Sequence, residues 1–146
     1  MSKYLVIGNP IEHSLSPKLH NHWIKKNNIT SSYEKKLIDE NDIKSLIDEL
    51  KNNNLAGINV TIPFKKSVIQ FMDGMTPEAD GTKSVNTIFK DNDKIIGHNT
   101  DIGGFELALR HTKYNTIGKK IFILGAGGVS PSIIYALIRM KVSEIY

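Results

Sequence analysis

The sequence contains no cysteine. A disulfide framework, a thiolate metal site and a cysteine nucleophile are therefore excluded. The same absence agrees with a reducing, cytoplasmic setting. Aromatics make up 8% of the chain, with one Trp, and are not interleaved with basic residues as a nucleic-acid stacking platform requires. The basic residues number 19, but the only Arg are Arg110 and Arg139, and no basic block is long enough to mark a nucleic-acid patch. Long apolar runs are missing, so no bilayer span is expected. The start, Met1–Pro10, has too short an apolar run for a secretory signal. These absences leave no call for a nucleic-acid or membrane partner.

What remains is ordinary globular composition. The chain has 146 residues, 40% hydrophobic and 23% charged, with 11 Gly and 5 Pro. That argues against a disordered tail, a collagen-like fibre or a coiled-coil rod. The net charge of +4 serves solubility and helps attract an anionic small molecule.

Strand-like and helix-like segments alternate, which predicts an α/β fold. Lys3–Gly8 reads as a strand ending at a Gly-Asn-Pro turn. Ser16-Pro17 resembles an N-cap and first helical residue, opening a helix to about Asn27. Ser32–Leu37 reads as a second strand. Ile43, Leu46, Ile47 and Leu50 recur at helical spacing. Ala56–Ile62 reads as a third strand stopped by Pro63, with a short helix over Phe64–Met72. Thr76-Pro77-Glu78 resembles another helix start. Val85–Lys90 and Lys94–Gly97 read as a hairpin closed by Asp91-Asn92-Asp93. Gly103–His111 reads as a helix, Lys119–Leu124 as a strand, Pro131–Lys141 as a helix and Ser143–Tyr146 as a starting strand. Residues 1–101 therefore read as a complete α/β domain, and 102–146 as a linking helix and the opening of a second one.

Four clusters carry candidate chemistry. In Gly8–Pro17, Ser14 and Ser16 precede a helix start, where two hydroxyls and backbone N–H groups suit a carboxylate. On composition alone the plainer reading, Ser16 as an N-cap and Ser14 as a turn residue, is favoured. In Gly57–Lys65, the strand ends in polar Asn59 and Thr61, and Lys65 follows at the sheet edge where α/β ligands sit. A solvated Lys is the bland alternative. Asn86 and Asp101 are short polar residues in segments suited to burial, or else turn residues; an Asp beside a Lys would form a proton-transfer pair. Last, the apolar strand Ile121–Leu124 runs into Gly125-Ala126-Gly127-Gly128-Val129 and then a helix, the context of a dinucleotide phosphate site. The third glycine of that pattern is replaced by Ser130.

Together these motifs resemble the shikimate dehydrogenase family, in order and in spacing. They are Gly-x-Pro-Ile-x-His-Ser-x-Ser-Pro-x-x-His-Asn at 8–21, Gly-x-Asn-Val-Thr-x-Pro-x-Lys at 57–65, Val-Asn-Thr at 85–87, Asn-Thr-Asp at 99–101 and Gly-Ala-Gly-Gly at 125–128. The resemblance implies an open mixed, mainly parallel sheet with flanking helices, followed by the first βα unit of a Rossmann-like NADP domain. It implies NADPH-dependent reduction of 3-dehydroshikimate to shikimate, reversibly, on the route to aromatic amino acids. Ser14 and Ser16 would hold the substrate carboxylate. Thr61, Asn86 and Asp101 would bind ring hydroxyls, with Asn59 supporting the loop. Lys65, set by Asp101, would be the acid/base. Gly125, Ala126, Gly127, Gly128 and Val129 would hold NADP. A quinate-using relative and a substrate-binding fragment without turnover are the alternatives, and a monomer or homodimer is expected. Family members continue beyond the part matched here, so the 146 residues alone are expected to turn over poorly. Thr82-Lys83-Ser84 departs from the family's usual Ile-Gly-Ala, so no cofactor contact is carried over there.

Overall fold

A computed structural model describes residues 2–146. The first strand, β1 (Ser2–Gly8), is followed by α1 (Ser16–Lys26), β2 (Ser31–Leu37), α2 (Ile43–Lys51) and β3 (Gly57–Val60). Then come β4 (Gly74–Met75), α3 (Pro77–Thr82), β5 (Thr87–Asp91), β6 (Lys94–His98) and α4 (Asp101–His111). The chain continues through β7 (Lys120–Ile121), α5 (Ser130–Arg139) and β8 (Glu144–Ile145).

The main sheet has six strands in the order β2-β1-β3-β5-β6-β4. β1 pairs parallel with both β2 and β3, and β4 pairs parallel with β6. The β3–β5 and β5–β6 pairings are antiparallel. The sheet is thus mixed and mainly parallel, as expected. β7 and β8 form a separate parallel pair.

Alternation along β1 explains the two-sided packing. Leu5 and Ile7 join one core cluster with Ile43, Leu46, Ile47 and Leu50 of α2. Val6 turns the other way and packs with Tyr33 of β2, Ile11 and Ile24 of α1. A strand covered on both faces must be apolar at successive positions, and Leu5-Val6-Ile7 is. The α1 side is the less covered one. An apolar depression of about 550 Å³ lies there over β3 and β5, lined by Tyr4, Trp23, Ile24 and Phe89 among others.

Several predicted boundaries move. Ser16 is the first residue of α1 and not its cap: Leu15 occupies the cap position with no side-chain hydrogen bond. The Ser16 N–H donates instead to Ser14 Oγ at 3.4 Å. β3 stops at Val60, although the Thr61 N–H still reaches the Ile7 carbonyl at 3.0 Å. The expected helix over 64–72 is a 3₁₀ turn, Ser67–Phe71. The strand after Lys119 covers Lys120–Ile121 alone, and Leu124 beyond it is 90% exposed. Thr76 does cap α3, accepting from the Ala79 N–H at 3.5 Å. The hairpin turn forms as read, with Asn92 at φ 54° in the left-handed region that Asn tolerates. Among the described residues no helix is long and apolar enough to cross a membrane.

Ile43 and Leu50 are both fully buried in this packing. Alanine at either should cost about 2–5 kcal/mol in urea unfolding, from lost transfer energy and an unfilled cavity. Leu124→Ala, on an exposed residue, should change stability by less than about 0.5 kcal/mol.

Candidate active site

β1, β3 and β6 deliver the predicted residues to one edge of the sheet. β1 leads into the loop carrying Ser14 and into Ser16 at the start of α1. β3 carries Asn59 and leads into Thr61 and Lys65. β6 leads into Asn99 and Thr100, and Asp101 opens α4. Gly8 allows the first two loops to close on each other: a Cβ there would stand 2.6 Å from Thr61 Cγ2 and 3.0 Å from the Ile62 carbonyl. Ser14, Ser16 and Thr61 then line one cavity of about 270 Å³, with His13 and Pro10 beside them.

Lys65 Nζ lies 2.6 Å from Asp101 Oδ2, and their side chains are 16% and 23% exposed. Partial burial strengthens the pair relative to a surface ion pair. The second Asp101 oxygen accepts from Asn86 Nδ2 at 2.9 Å. The Asp101 N–H donates to Asn99 Oδ1 at 2.9 Å. As the first residue of α4, the carboxylate also meets the positive end of the helix dipole.

The amides behind this pair are held with little freedom. Asn86 Oδ1 accepts from the Thr100 N–H at 3.0 Å and from Thr87 Oγ1 at 3.0 Å. Asn59 Nδ2 donates to Thr87 Oγ1 at 3.0 Å and to the Asn86 carbonyl at 3.2 Å. Asn99, 1% exposed, donates to the Ser84 carbonyl at 2.8 Å, Thr82 Oγ1 at 3.2 Å and Ser132 Oγ of α5 at 3.0 Å.

Sequence reading missed Tyr33. Its phenol donates to Asn59 Oδ1 at 2.7 Å and also contacts the Ser16 hydroxyl. Asn21 of α1 clamps the Tyr33 backbone, donating to its carbonyl at 2.8 Å and accepting from its N–H at 3.0 Å. His20 stacks on the ring with centroids 4.1 Å apart, and burial holds that imidazole below the usual histidine range. A signal was available: Tyr33 is the one aromatic residue of β2, set in an otherwise polar run from Ser31 to Lys36.

The residues Gly125, Ala126, Gly127, Gly128 and Val129 form an exposed turn between β7 and α5. Gly125 sits at φ 103°, where side chains are rarely accommodated, and a Cβ on Gly127 would meet nothing within 4 Å. Gly128 lines a cavity of about 170 Å³ together with Lys65, Lys66 and Ser84. Ser84 is 2% exposed and its hydroxyl has no hydrogen-bond partner among the described residues. The structure therefore brings the Gly-rich turn next to the Lys65 loop, while the hydroxyl cavity is lined by a different set of residues.

Comparison with known proteins accords with this geometry. The family model for the shikimate dehydrogenase substrate binding domain matches residues 6–88. The chain belongs to the shikimate dehydrogenase family. It is 54% identical over 143 residues to an NADP(+) shikimate dehydrogenase of Pelagibacter ubique, covering 98% of this chain and 54% of that protein. It is 41% identical to one from Carboxydothermus hydrogenoformans, over 91% of this chain and 48% of the relative. Among solved structures, the shikimate 5-dehydrogenase of Listeria monocytogenes in complex with shikimate and NAD superposes with a TM-score of 0.92 at 32% identity. That superposition covers 99% of this chain and 50% of the other. The chain thus spans about half the length of the relatives it matches.

Burial pushes the Tyr33 phenol up from 10.0 to about 12, opposed by its contact with Ser16. The folded value lies above the unfolded one, so this contribution to stability is complete below pH 10 and is lost between pH 10 and about 12. Urea unfolding across that window should show a decline that Tyr33→Phe removes; equal slopes in the two proteins would contradict this placement.

Proposed function

We propose that this chain supplies the substrate-binding and acid/base half of an NADP-dependent shikimate dehydrogenase, interconverting 3-dehydroshikimate and shikimate. The division of labour follows the proposed domains: residues 1–101 hold substrate, and 102–146 form a linking helix and the start of the dinucleotide-binding domain. The observation carrying the proposal is the Lys65–Asp101–Asn86 constellation, an ion pair at 2.6 Å backed by an amide donor at 2.9 Å.

Each residue has a role that its surroundings permit. Ser14 and Ser16 offer two hydroxyls to a carboxylate at the entrance to α1, where backbone N–H groups and the helix dipole also favour an anion. Thr61, Asn86 and Asp101 hydrogen-bond ring hydroxyls, and Asn59 braces them from behind. Lys65 Nζ gives a proton to the carbonyl oxygen during reduction and takes it from the hydroxyl during oxidation. Asp101 keeps that ammonium oriented and offsets its charge.

The residues present fit a dinucleotide. The Gly125–Gly128 turn leaves room for close backbone approach at the start of α5, and the buried Ser84 hydroxyl beside it is unsatisfied. Gly125, Ala126, Gly127, Gly128 and Val129 would hold the diphosphate. The bound nicotinamide supplies the hydride chemistry. The partner is accordingly a small carboxylated ring, and the chain acts as a monomer or homodimer in the cytoplasm.

Calorimetric titration with shikimate tests the substrate half directly. Wild type should bind, and Ser14→Ala combined with Ser16→Ala should weaken binding at least about tenfold, the worth of one or two charge-assisted hydrogen bonds. NADP-dependent oxidation of shikimate tests the acid/base role. In the context of a full-length dehydrogenase, Lys65→Ala should lower turnover by about 10²–10⁴ while affinity changes by less than about fivefold. Equal losses in both would make Lys65 a binding residue only.

A further inference from the structure

Five side chains form a continuous hydrogen-bonded line from the buried phenol of Tyr33 to the Asp101 carboxylate. Tyr33 Oη donates to Asn59 Oδ1 at 2.7 Å. Asn59 Nδ2 donates to Thr87 Oγ1 at 3.0 Å, and Thr87 Oγ1 donates to Asn86 Oδ1 at 3.0 Å. Asn86 Nδ2 then donates to Asp101 Oδ1 at 2.9 Å, opposite the Lys65 contact on Oδ2.

The direction of this line is not free. An Asn amide can turn over, exchanging its donor and acceptor ends, unless something of fixed polarity holds it. At Asn86 the fixed group is the Thr100 backbone N–H, which can only donate and therefore keeps Oδ1 facing it at 3.0 Å. At Asn59 it is the Asn86 backbone carbonyl, which can only accept and so keeps Nδ2 facing it at 3.2 Å. With both amides set, Asn59 Oδ1 must be supplied with a proton, and Tyr33 supplies it. Burial raises the phenol to about 12, so it stays a donor through the physiological range. The ring is itself held by its stack on His20 and by the Asn21 clamp.

We infer that Tyr33 is a positioning residue: the Thr100 N–H sets which end of the Asn86 amide faces Asp101, and Tyr33, acting through Asn59 and Thr87, holds that amide still and so steadies the Lys65–Asp101 pair. No hydrogen bond joins Tyr33 to Asn86, Asp101 or Lys65, so any effect of its hydroxyl on them has to pass along the line. The role of the pair rests on the function proposed above; the line itself is a property of the fold.

The test uses Tyr33→Phe, Thr87→Val and their combination. Each single change keeps side-chain shape; Tyr33→Phe removes the first link and Thr87→Val the two that meet at its hydroxyl. The first measurement, without ligand, is solvent exchange of the Asn86 side-chain amide protons by ¹⁵N-resolved NMR. Tyr33→Phe should raise it about threefold or more, although residue 33 does not bond to Asn86, and Thr87→Val should do the same, with the β3 backbone amides unmoved. Asn86 protons that exchange at the wild-type rate in Tyr33→Phe overturn the inference. The second measurement is shikimate affinity, taken in a Ser16→Ala background so that the contact of Tyr33 with the Ser16 hydroxyl is absent from every arm. Each single change should weaken it about fivefold, the worth of one hydrogen bond, and the combination by little more, because one line is broken twice. Losses that multiply to about 25-fold, as for independent hydrogen bonds, overturn it. Wild type that fails to bind shikimate refutes the substrate reading and leaves the exchange measurement to decide the line.

Discussion

The Lys65–Asp101 pair hangs on three asparagine amides, which reinforce the backbone pairing of β3 with β5 and reach beyond it to β2 and α5. Asn59 sits on β3, Asn86 just before β5 and Asn99 just after β6. Each is satisfied by partners from other segments. A buried amide that lost one partner would carry a desolvation cost of about 1–3 kcal/mol, well above what a single satisfied hydrogen bond contributes net. The network is therefore stable when complete and costly when partial, which favours one arrangement over many. Asp101 inherits that definition. It receives Asn86 on its carboxylate and gives its N–H to Asn99, so two of the three amides fix where the carboxylate points. Lys65, on a long flexible stem, takes its position from Asp101.

The sheet topology explains why these segments meet. β1 and β3 run parallel, so the loops after them, carrying Ser14 and Lys65, leave the same edge. β5 runs against β3 and β6 against β5, so β6 again ends at that edge and delivers Asn99, Thr100 and Asp101. The start of β5 lies there too, which places Thr87 between Asn59 on one side and His98 on the other, with Asn86 just before it. One reversal in a parallel sheet thus converts four separate sequence motifs into neighbours. This is the carboxyl-edge location that open α/β sheets use for ligands, reached here by a mixed sheet.

Much of this was legible in the residues. The alternation of element types predicted the class, and apolar spacing placed β1, α2 and the β5–β6 hairpin within a residue or two. Polar residues in apolar company marked Asn59, Asn86 and Asp101. What spacing could not show was contact. Nothing local says that Asn86 Nδ2 meets Asp101, or that Lys65 meets it from 36 positions away. Tyr33 escaped because strand residues are read for burial, and its hydroxyl acts through Asn59 across the sheet. Ser-Pro is a common helix start and points to Ser16 as the cap, yet Ser14 accepts its N–H and the cap position falls to Leu15. Strand β7 was overestimated since an apolar run argues for pairing, whereas a strand forms only where a neighbour lies alongside. β8 supplies one for two residues.

The Gly-rich turn depends on the same framework, through α5. Ser132, fully buried near the start of α5, accepts from Asn99 at 3.0 Å, so the amide that orients Asp101 also anchors the helix behind the turn. α3 completes the seat. A Cβ on Gly81 would lie 2.5 Å from Tyr135 Cε2, so the absence of that carbon is what lets α5 settle there. Arg139 at the far end of α5 lies 3.2 Å from the largely buried Glu106 of α4 and 3.6 Å from Glu78 of α3. Contacts from three positions along one helix, one of them polar and buried, leave it little freedom to slide. The turn at its start is then held beside Lys65, with a Cβ on Gly128 only 3.8 Å from Ile62. The spacing between the Gly-rich turn and Lys65 consequently depends on Asn99, whose one amide accepts from the Asp101 N–H and donates to Ser132 of α5.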